Sequence, residues 1–121
     1  METKDKVKLI AKTLSDKKAD DIDIIEIGDL TILTDYFVIA SASNTNHVRA
    51  LADEVEYICK QEGMIPDRIE GYQTSNWIVI DYGDVIVHLF YRQTREFYNL
   101  DKLWSDGKKI DILTLLDAPK A

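Results

Sequence analysis

Between residues 76 and 91 the chain reads N-W-I-V-I-D-Y-G-D-V-I-V-H-L-F-Y, two apolar, β-branched runs flanking Asp81-Tyr82-Gly83-Asp84. The pattern predicts a β-hairpin with a short glycine-containing turn. With Tyr82 and Gly83 as the turn residues, counting outward pairs Asp81 with Asp84, Ile80 with Val85, Val79 with Ile86, Ile78 with Val87 and Trp77 with His88. Paired residues share a face and successive residues alternate. One face then carries Ile78, Ile80, Val85, Val87 and Leu89, all aliphatic, and faces a core. The other carries Trp77, Val79, Asp81, Asp84, Ile86, His88 and Phe90. An apolar centre with two carboxylates at the turn end fits an exposed patch with a charged edge, as on a protein-binding surface. The same pattern also fits a sheet covered on both faces, with Asp81 and Asp84 as ordinary turn residues.

The remaining elements follow in chain order. Residues 2 to about 18 read as a helix, with Val7, Ile10, Ala11 and Leu14 on one stripe and charged residues around the others. Residues 21–27 are a first strand, and Gly28, Asp29, Thr31, Thr34 and Asp35 bracket a loop. Tyr36–Ala42 is nearly all apolar and reads as a strand buried on both faces. Ser43-Asn44-Thr45-Asn46 supplies capping side chains for a helix over about 46–62. That helix buries Val48, Leu51, Val55, Ile58 and Cys59, and Gly63 closes it at C′. A return strand near Arg68–Glu70, parallel to Tyr36–Ala42, completes a crossover unit. The hairpin must be antiparallel, so the sheet is mixed. Thr94 can cap a short helix through Phe97 and Tyr98, with Leu100, Leu103 and Trp104 continuing its apolar stripe. The tail, with Ile110, Ile112 and Leu115, reads as an extended segment along the body. The expected fold is α/β with a mixed sheet, in the order α-β-β-α-β-β-β-α.

Composition narrows the picture. The chain has 121 residues, 45% hydrophobic and 31% charged. This is the size of one domain, here expected to span 1–121, burying roughly two thirds of its unfolded surface. No apolar run reaches the ~18 residues of a membrane span, and the region around Met1 is charged, so neither a membrane anchor nor a secretion signal is expected. A lone cysteine, Cys59, precludes an internal disulfide and any multi-cysteine zinc site. Its helical position suits a core thiol, and the expected compartment is the cytoplasm. The formal net charge of −7 argues against sequence-specific nucleic-acid binding and favours a basic partner.

Catalytic chemistry is hard to find. The chain has no G-x-G-x-x-G and no phosphate loop ending in G-K-S/T. Its two histidines, His47 and His88, are not at metal-ligand spacing, and neither has a sequence-placed serine or cysteine to activate. Asp21-Ile22-Asp23 puts two carboxylates on one side of a strand, as nucleotidyltransferases do to hold a divalent metal. Those enzymes also need an upstream Gly-Ser turn, and here only Ser15-Asp16 stands there. Asn44-Thr45-Asn46 could receive a phosphate at the helix N-terminus, although capping is the commoner use. No enzyme, metal or cofactor is expected.

Three blocks of the chain carry a family resemblance. Asp35-Tyr36-Phe37-Val38-Ile39-Ala40-Ser41 with Asn44 and His47-Val48 is similar to the first signature block of the Iojap family of ribosomal silencing factors. The run from Trp77 to His88 resembles the second. Tyr98, Leu100, Leu103-Trp104 and Asp106 resemble the third, with Asp101 in place of a glutamate. The resemblance implies a nucleotidyltransferase-like fold without the active site. It implies binding to the large ribosomal subunit through ribosomal protein fourteen, a steric block to small-subunit joining, and repression of translation. Organelle members assist large-subunit assembly, which is the alternative role. The implied contacts fall on the hairpin at Trp77, Val79, Asp81 and His88, and alternation adds Asp84 and Ile86. An exposed patch of this kind also predicts a homodimer at high concentration.

Overall fold

The computed structural model describes residues 1–28, 30, 32–103 and 105–117. Helix α1 (Thr3–Asp16) forms where Val7, Ile10, Ala11 and Leu14 recur at helical spacing, and all four are buried. Strands β1 (Asp20–Glu26) and β2 (Tyr36–Ala42) follow, then helix α2 (Thr45–Gln61). Asn44 caps α2, its side-chain oxygen accepting the His47 N–H at 2.8 Å, a contact worth about 1 kcal/mol. At the other end the Met64 N–H donates to Cys59 O and the Gly63 N–H to Lys60 O, with Gly63 at φ +80°. That is the Schellman closure expected of a C′ glycine. The apolar face of α2 is Val48, Leu51, Ala52, Val55 and Cys59. Ile58, expected inside, is only half-buried, and Ala52 takes the inward position.

Strands β3 (Arg68–Glu70), β4 (Trp77–Asp81) and β5 (Val85–Tyr91) come next, then helices α3 (Arg92–Tyr98) and α4 (Leu100–Leu103), strand β6 (Lys108–Ile110) and helix α5 (Ile112–Asp117). The described sheet runs β3-β4-β5-β2-β1-β6. Only β2 and β5 pair in parallel, and the other neighbours are antiparallel. β2 is central and buried at all seven positions, as its continuous apolar run requires. β3 does run in the direction of β2, but β5 and β4 lie between them. Helices α1 and α2 cover one face over Val38, Ala40, Ile78, Ile80, Val87 and Leu89. Among the described residues no helix is long and apolar enough to cross a membrane.

Three further expectations need correction. The order continues beyond the expected final helix into β6 and α5, so the tail is not merely extended. Asp111 explains part of this, because its carboxylate accepts the Leu113 N–H at 3.0 Å and starts α5. Thr94 is not a cap, since the N-cap of α3 is Tyr91 and no side chain fills that role. The expected loop residues Asp29 and Thr31, and Trp104 of the expected apolar stripe, lie outside the described residues.

The third correction is the hairpin register. Trp77 pairs with Phe90, Ile78 with Leu89, Val79 with His88, Ile80 with Val87 and Asp81 with Ile86. Tyr82 closes the ladder by donating its N–H to Val85 O at 2.9 Å, so the two turn residues are Gly83 and Asp84. Gly83 sits at φ +88° in the first turn position, where a II′ turn requires glycine. Tyr82 becomes a buried strand-end residue of the core. Sliding the turn by one residue moves every cross-strand pair by two. A shift of two leaves the faces intact. The aliphatic core face is therefore as expected.

Candidate functional site

The cross-sheet register lays out the second face in rows. One row runs Arg68, Asp81, Ile86, Phe37, Ile25, Lys109, the next Glu70, Val79, His88, Ile39, Asp23, and a third Trp77, Phe90, Ser41, Asp20. Helices α3 and α4 cover only part of it, with α3 against β5 and β2. Leu100 packs on the cluster of Ile25, Ile27, Phe37, Ile39 and Phe90. Arg95 of α3 is buried and donates to Asp23 Oδ2 and Ser41 Oγ, each at 2.7 Å, and to the Asp21 carbonyl. On β4 and at the turn end of β5, Trp77, Val79, Asp81 and Ile86 stay half-buried. The face is thus open on one side and closed on the other.

Trp77 is the best-held of these side chains. Its ring stacks on Phe90 with centroids 5.0 Å apart and meets the exposed Tyr98 ring at 4.8 Å. Its indole N–H donates to His88 Nδ1 at 3.1 Å. Gly71, at φ +82°, lets the preceding loop close over β4, because a Cβ there would collide with the Trp77 carbonyl oxygen. Beside Trp77 an open groove of about 540 Å³ is lined by Asn76, Tyr91, Thr94, Phe97 and Tyr98. Phe97 is 81% exposed, so the groove presents apolar surface to water.

The expected site residues divide into three groups. Trp77, Val79 and Ile86 form the open apolar surface, with Asp81 at its rim. Asp81 Oδ1 accepts the Gly83 N–H at 2.8 Å and its other oxygen lies 3.6 Å from the Arg68 guanidinium. His88 and Phe90 share this face but are buried, so they lie beneath it. Asp84 is not on the face at all. As a turn residue it leaves the strand alternation and points to the helical layer, where it accepts from Thr3 Oγ1 at 2.7 Å and Lys6 Nζ at 3.0 Å. Burial alone would raise its carboxyl. The hydrogen bonds from Thr3 and Lys6 and the Lys6 charge outweigh that and hold it below the usual carboxylate value.

His88 has a distinct electrostatic state. Burial pushes its pKa down to about 4, and its Nε2 is buried without a hydrogen-bond partner. In the unfolded chain an imidazole titrates near 6.5. Between those values the unfolded state binds a proton that the folded state refuses, so stability rises with pH across this window. Stability is fully present above about pH 6.5 and falls by about 3 kcal/mol as the pH drops to about 4. Chemical denaturation at several pH values checks this. The slope between pH 6.5 and 4 should flatten in His88→Asn, and an unchanged slope would assign it to other groups.

The carboxylates Asp21 and Asp23 do not form the expected pair. β1 is bulged between Asp20 and Asp23, and Asp21 sits at φ +49°, which breaks the alternation. Asp21 is exposed, while Asp23 is engaged by Arg95 and lies 3.8 Å from Lys109 Nζ. Among the described residues no three His, Cys, Asp or Glu side chains are gathered to hold a metal ion. Asn44 spends its oxygen on the His47 N–H, as a cap does, and His47 Nε2 lies 2.9 Å from Lys17 O. Cys59 is buried, and burial pushes its thiol up, away from nucleophilic use. Sequence reasoning missed Arg95 because its partners lie more than 50 residues away along the chain.

Comparison with known proteins places the chain in a family. The sequence profile described as "Ribosomal silencing factor during starvation" matches residues 1–121. The chain belongs to the ribosomal silencing factor family. Ribosomal silencing factor RsfS of Halalkalibacterium halodurans is 31% identical over 112 residues, 93% of this chain and 96% of the relative. The crystal structure of a Chromobacterium violaceum protein, CV0518, superposes with a TM-score of 0.85 at 32% identity, covering 92% of each chain. The mouse protein "Mitochondrial assembly of ribosomal large subunit protein 1" is 33% identical over 105 residues, 82% of this chain and 45% of that relative. The mixed α/β sheet described above is therefore the fold of the silencing factors.

Proposed function

We propose that this chain represses translation by placing the open half of its sheet face on the large ribosomal subunit, where it blocks the small subunit from joining. The contact is made to ribosomal protein fourteen through Trp77, Val79, Ile86 and Asp81, with His88 behind them. Asp84 enters as the residue that ties the hairpin tip to α1. The mechanism is steric, in a single cytoplasmic domain, with no covalent step and no cofactor.

The observation that carries this reading is the pairing of a half-buried Trp77-Val79-Ile86 patch with an acidic rim, on a sheet face that α3 and α4 leave open. Aromatic anchors in an apolar patch with a polar rim are the anatomy of protein interfaces. The −7 net charge favours a basic partner. The direct test is co-sedimentation with free large subunits against joined ribosomes, combined with a subunit-joining assay. Binding to free large subunits that leaves joining unaffected would favour the second reading, a large-subunit assembly factor. The name of the mouse relative supports that alternative.

The rim charge makes a kinetic prediction. Asp81→Asn keeps an acceptor for the Gly83 N–H and removes only the charge. It should slow association with large subunits and leave dissociation nearly unchanged. The difference should vanish toward 1 M salt, where the screening length is about 3 Å. Equal association rates at low salt would remove the electrostatic part of the proposal.

A further inference from the structure

His88 is a costly residue for its position. It lies mid-strand on β5, 7% exposed, with Nε2 buried and unpartnered, where an aliphatic side chain would leave no polar atom unsatisfied. What it does have is one directed contact, the Trp77 indole N–H on Nδ1 at 3.1 Å. The two residues are diagonal neighbours, because Trp77 pairs directly with Phe90, two residues beyond His88. Diagonal pairs are within reach of aromatic side chains. An indole nitrogen only donates, so His88 Nδ1 must be the acceptor and the ring proton sits on Nε2. The edge-on Phe37 ring, 4.8 Å away at 83°, fixes the imidazole plane from the β2 side.

We infer that His88 is the positioning residue of the Trp77 anchor: a neutral imidazole, buried under the open face, that holds the indole in the orientation it presents to a partner. The inference rests on the proposed use of Trp77 in large-subunit binding and adds the residue that sets its geometry. Phe90 and Tyr98 confine the indole by ring contacts, which do not select the edge on which Nε1 lies. A hydrogen bond from Nε1 does. An anchor ordered before binding loses less conformational entropy when it docks.

The test compares His88→Phe, which keeps an aromatic ring and removes the acceptor, with His88→Asn, whose amide oxygen can take the place of Nδ1. In the free protein the Trp77 indole N–H should give an NMR signal protected from solvent exchange in the wild type and in His88→Asn. In His88→Phe the signal should shift and exchange rapidly. Affinity for large subunits should fall about tenfold in His88→Phe, with the loss largely restored in His88→Asn. An indole proton equally protected in His88→Phe would overturn the inference. So would a wild-type imidazole whose nitrogen shifts place the proton on Nδ1, a measurement that needs no variant to fold. The two NMR readouts are made without ribosomes, so they stand or fall separately from the proposed function. If they hold while His88→Phe binds normally, the positioning role is rejected.

Discussion

Trp77→Ala is expected to weaken binding to large ribosomal subunits by roughly 30-fold or more, the equivalent of about 2 kcal/mol for losing a central aromatic anchor. The side chain is half-buried in the free protein, stacked on Phe90 and hydrogen-bonded to His88, so it is ordered before it meets a partner. The main core lies on the opposite face of the sheet, under α1 and α2, and does not include Trp77. The variant should therefore remain folded, with circular dichroism close to wild type. Co-sedimentation or surface-immobilised binding gives the affinity. A folded Trp77→Ala protein that binds normally would remove Trp77 from the contact, and one that unfolds would assign it to the core.

Arg95→Ala should be the most destabilising single change outside the aliphatic core, at about 3 kcal/mol or more. Arg95 is buried and holds Asp23, Ser41 and the Asp21 carbonyl at once. Removing the guanidinium takes a donor from the buried Ser41 hydroxyl and from the Asp21 carbonyl, and leaves Asp23 with the longer Lys109 contact at 3.8 Å. Arg95→Lys should rescue little, because an ammonium cannot reproduce a planar fork that reaches three acceptors. Arg92→Ala is the internal control: its pair with Asp20 is about half exposed and should matter far less. Thermal unfolding of the three variants checks the order. Arg95→Ala as stable as Arg92→Ala would show that α3 is held by apolar contacts alone. The change should also disturb the Trp77 groove, since α3 carries Phe97 and Tyr98.

The local elements were legible because each is written in a period that needs no distant partner. Helices α1 and α2 follow from apolar spacing, the Asn44 cap and Gly63 at C′. β2 follows from its unbroken apolar run, and the family from the signature blocks. The two hairpin faces were right even though the turn was misplaced by one residue. Side-chain direction repeats every two residues and the register error was two, so membership of each face survived. Inside the turn that protection fails, which is why Asp84 went to Thr3 and Lys6 instead of joining Asp81.

Tertiary structure alone decided what depends on contacts distant in sequence. The strand order β3-β4-β5-β2-β1-β6 sets β3 apart from β2, which a local crossover argument cannot foresee. The β1 bulge that separates Asp21 from Asp23 accompanies the Arg95 guanidinium reaching in from α3, more than 70 residues later. Most telling is which half of the second face stays open. Alternation along β4 and β5 marks Trp77, Val79, Ile86, His88 and Phe90 as equivalent. Packing buries the last two, beneath Trp77 and beside Phe37, and leaves the first three half-buried at the surface. A period-2 pattern states which side of the sheet a residue lies on. Whether anything covers that side is settled by where a later helix finds its buried partners.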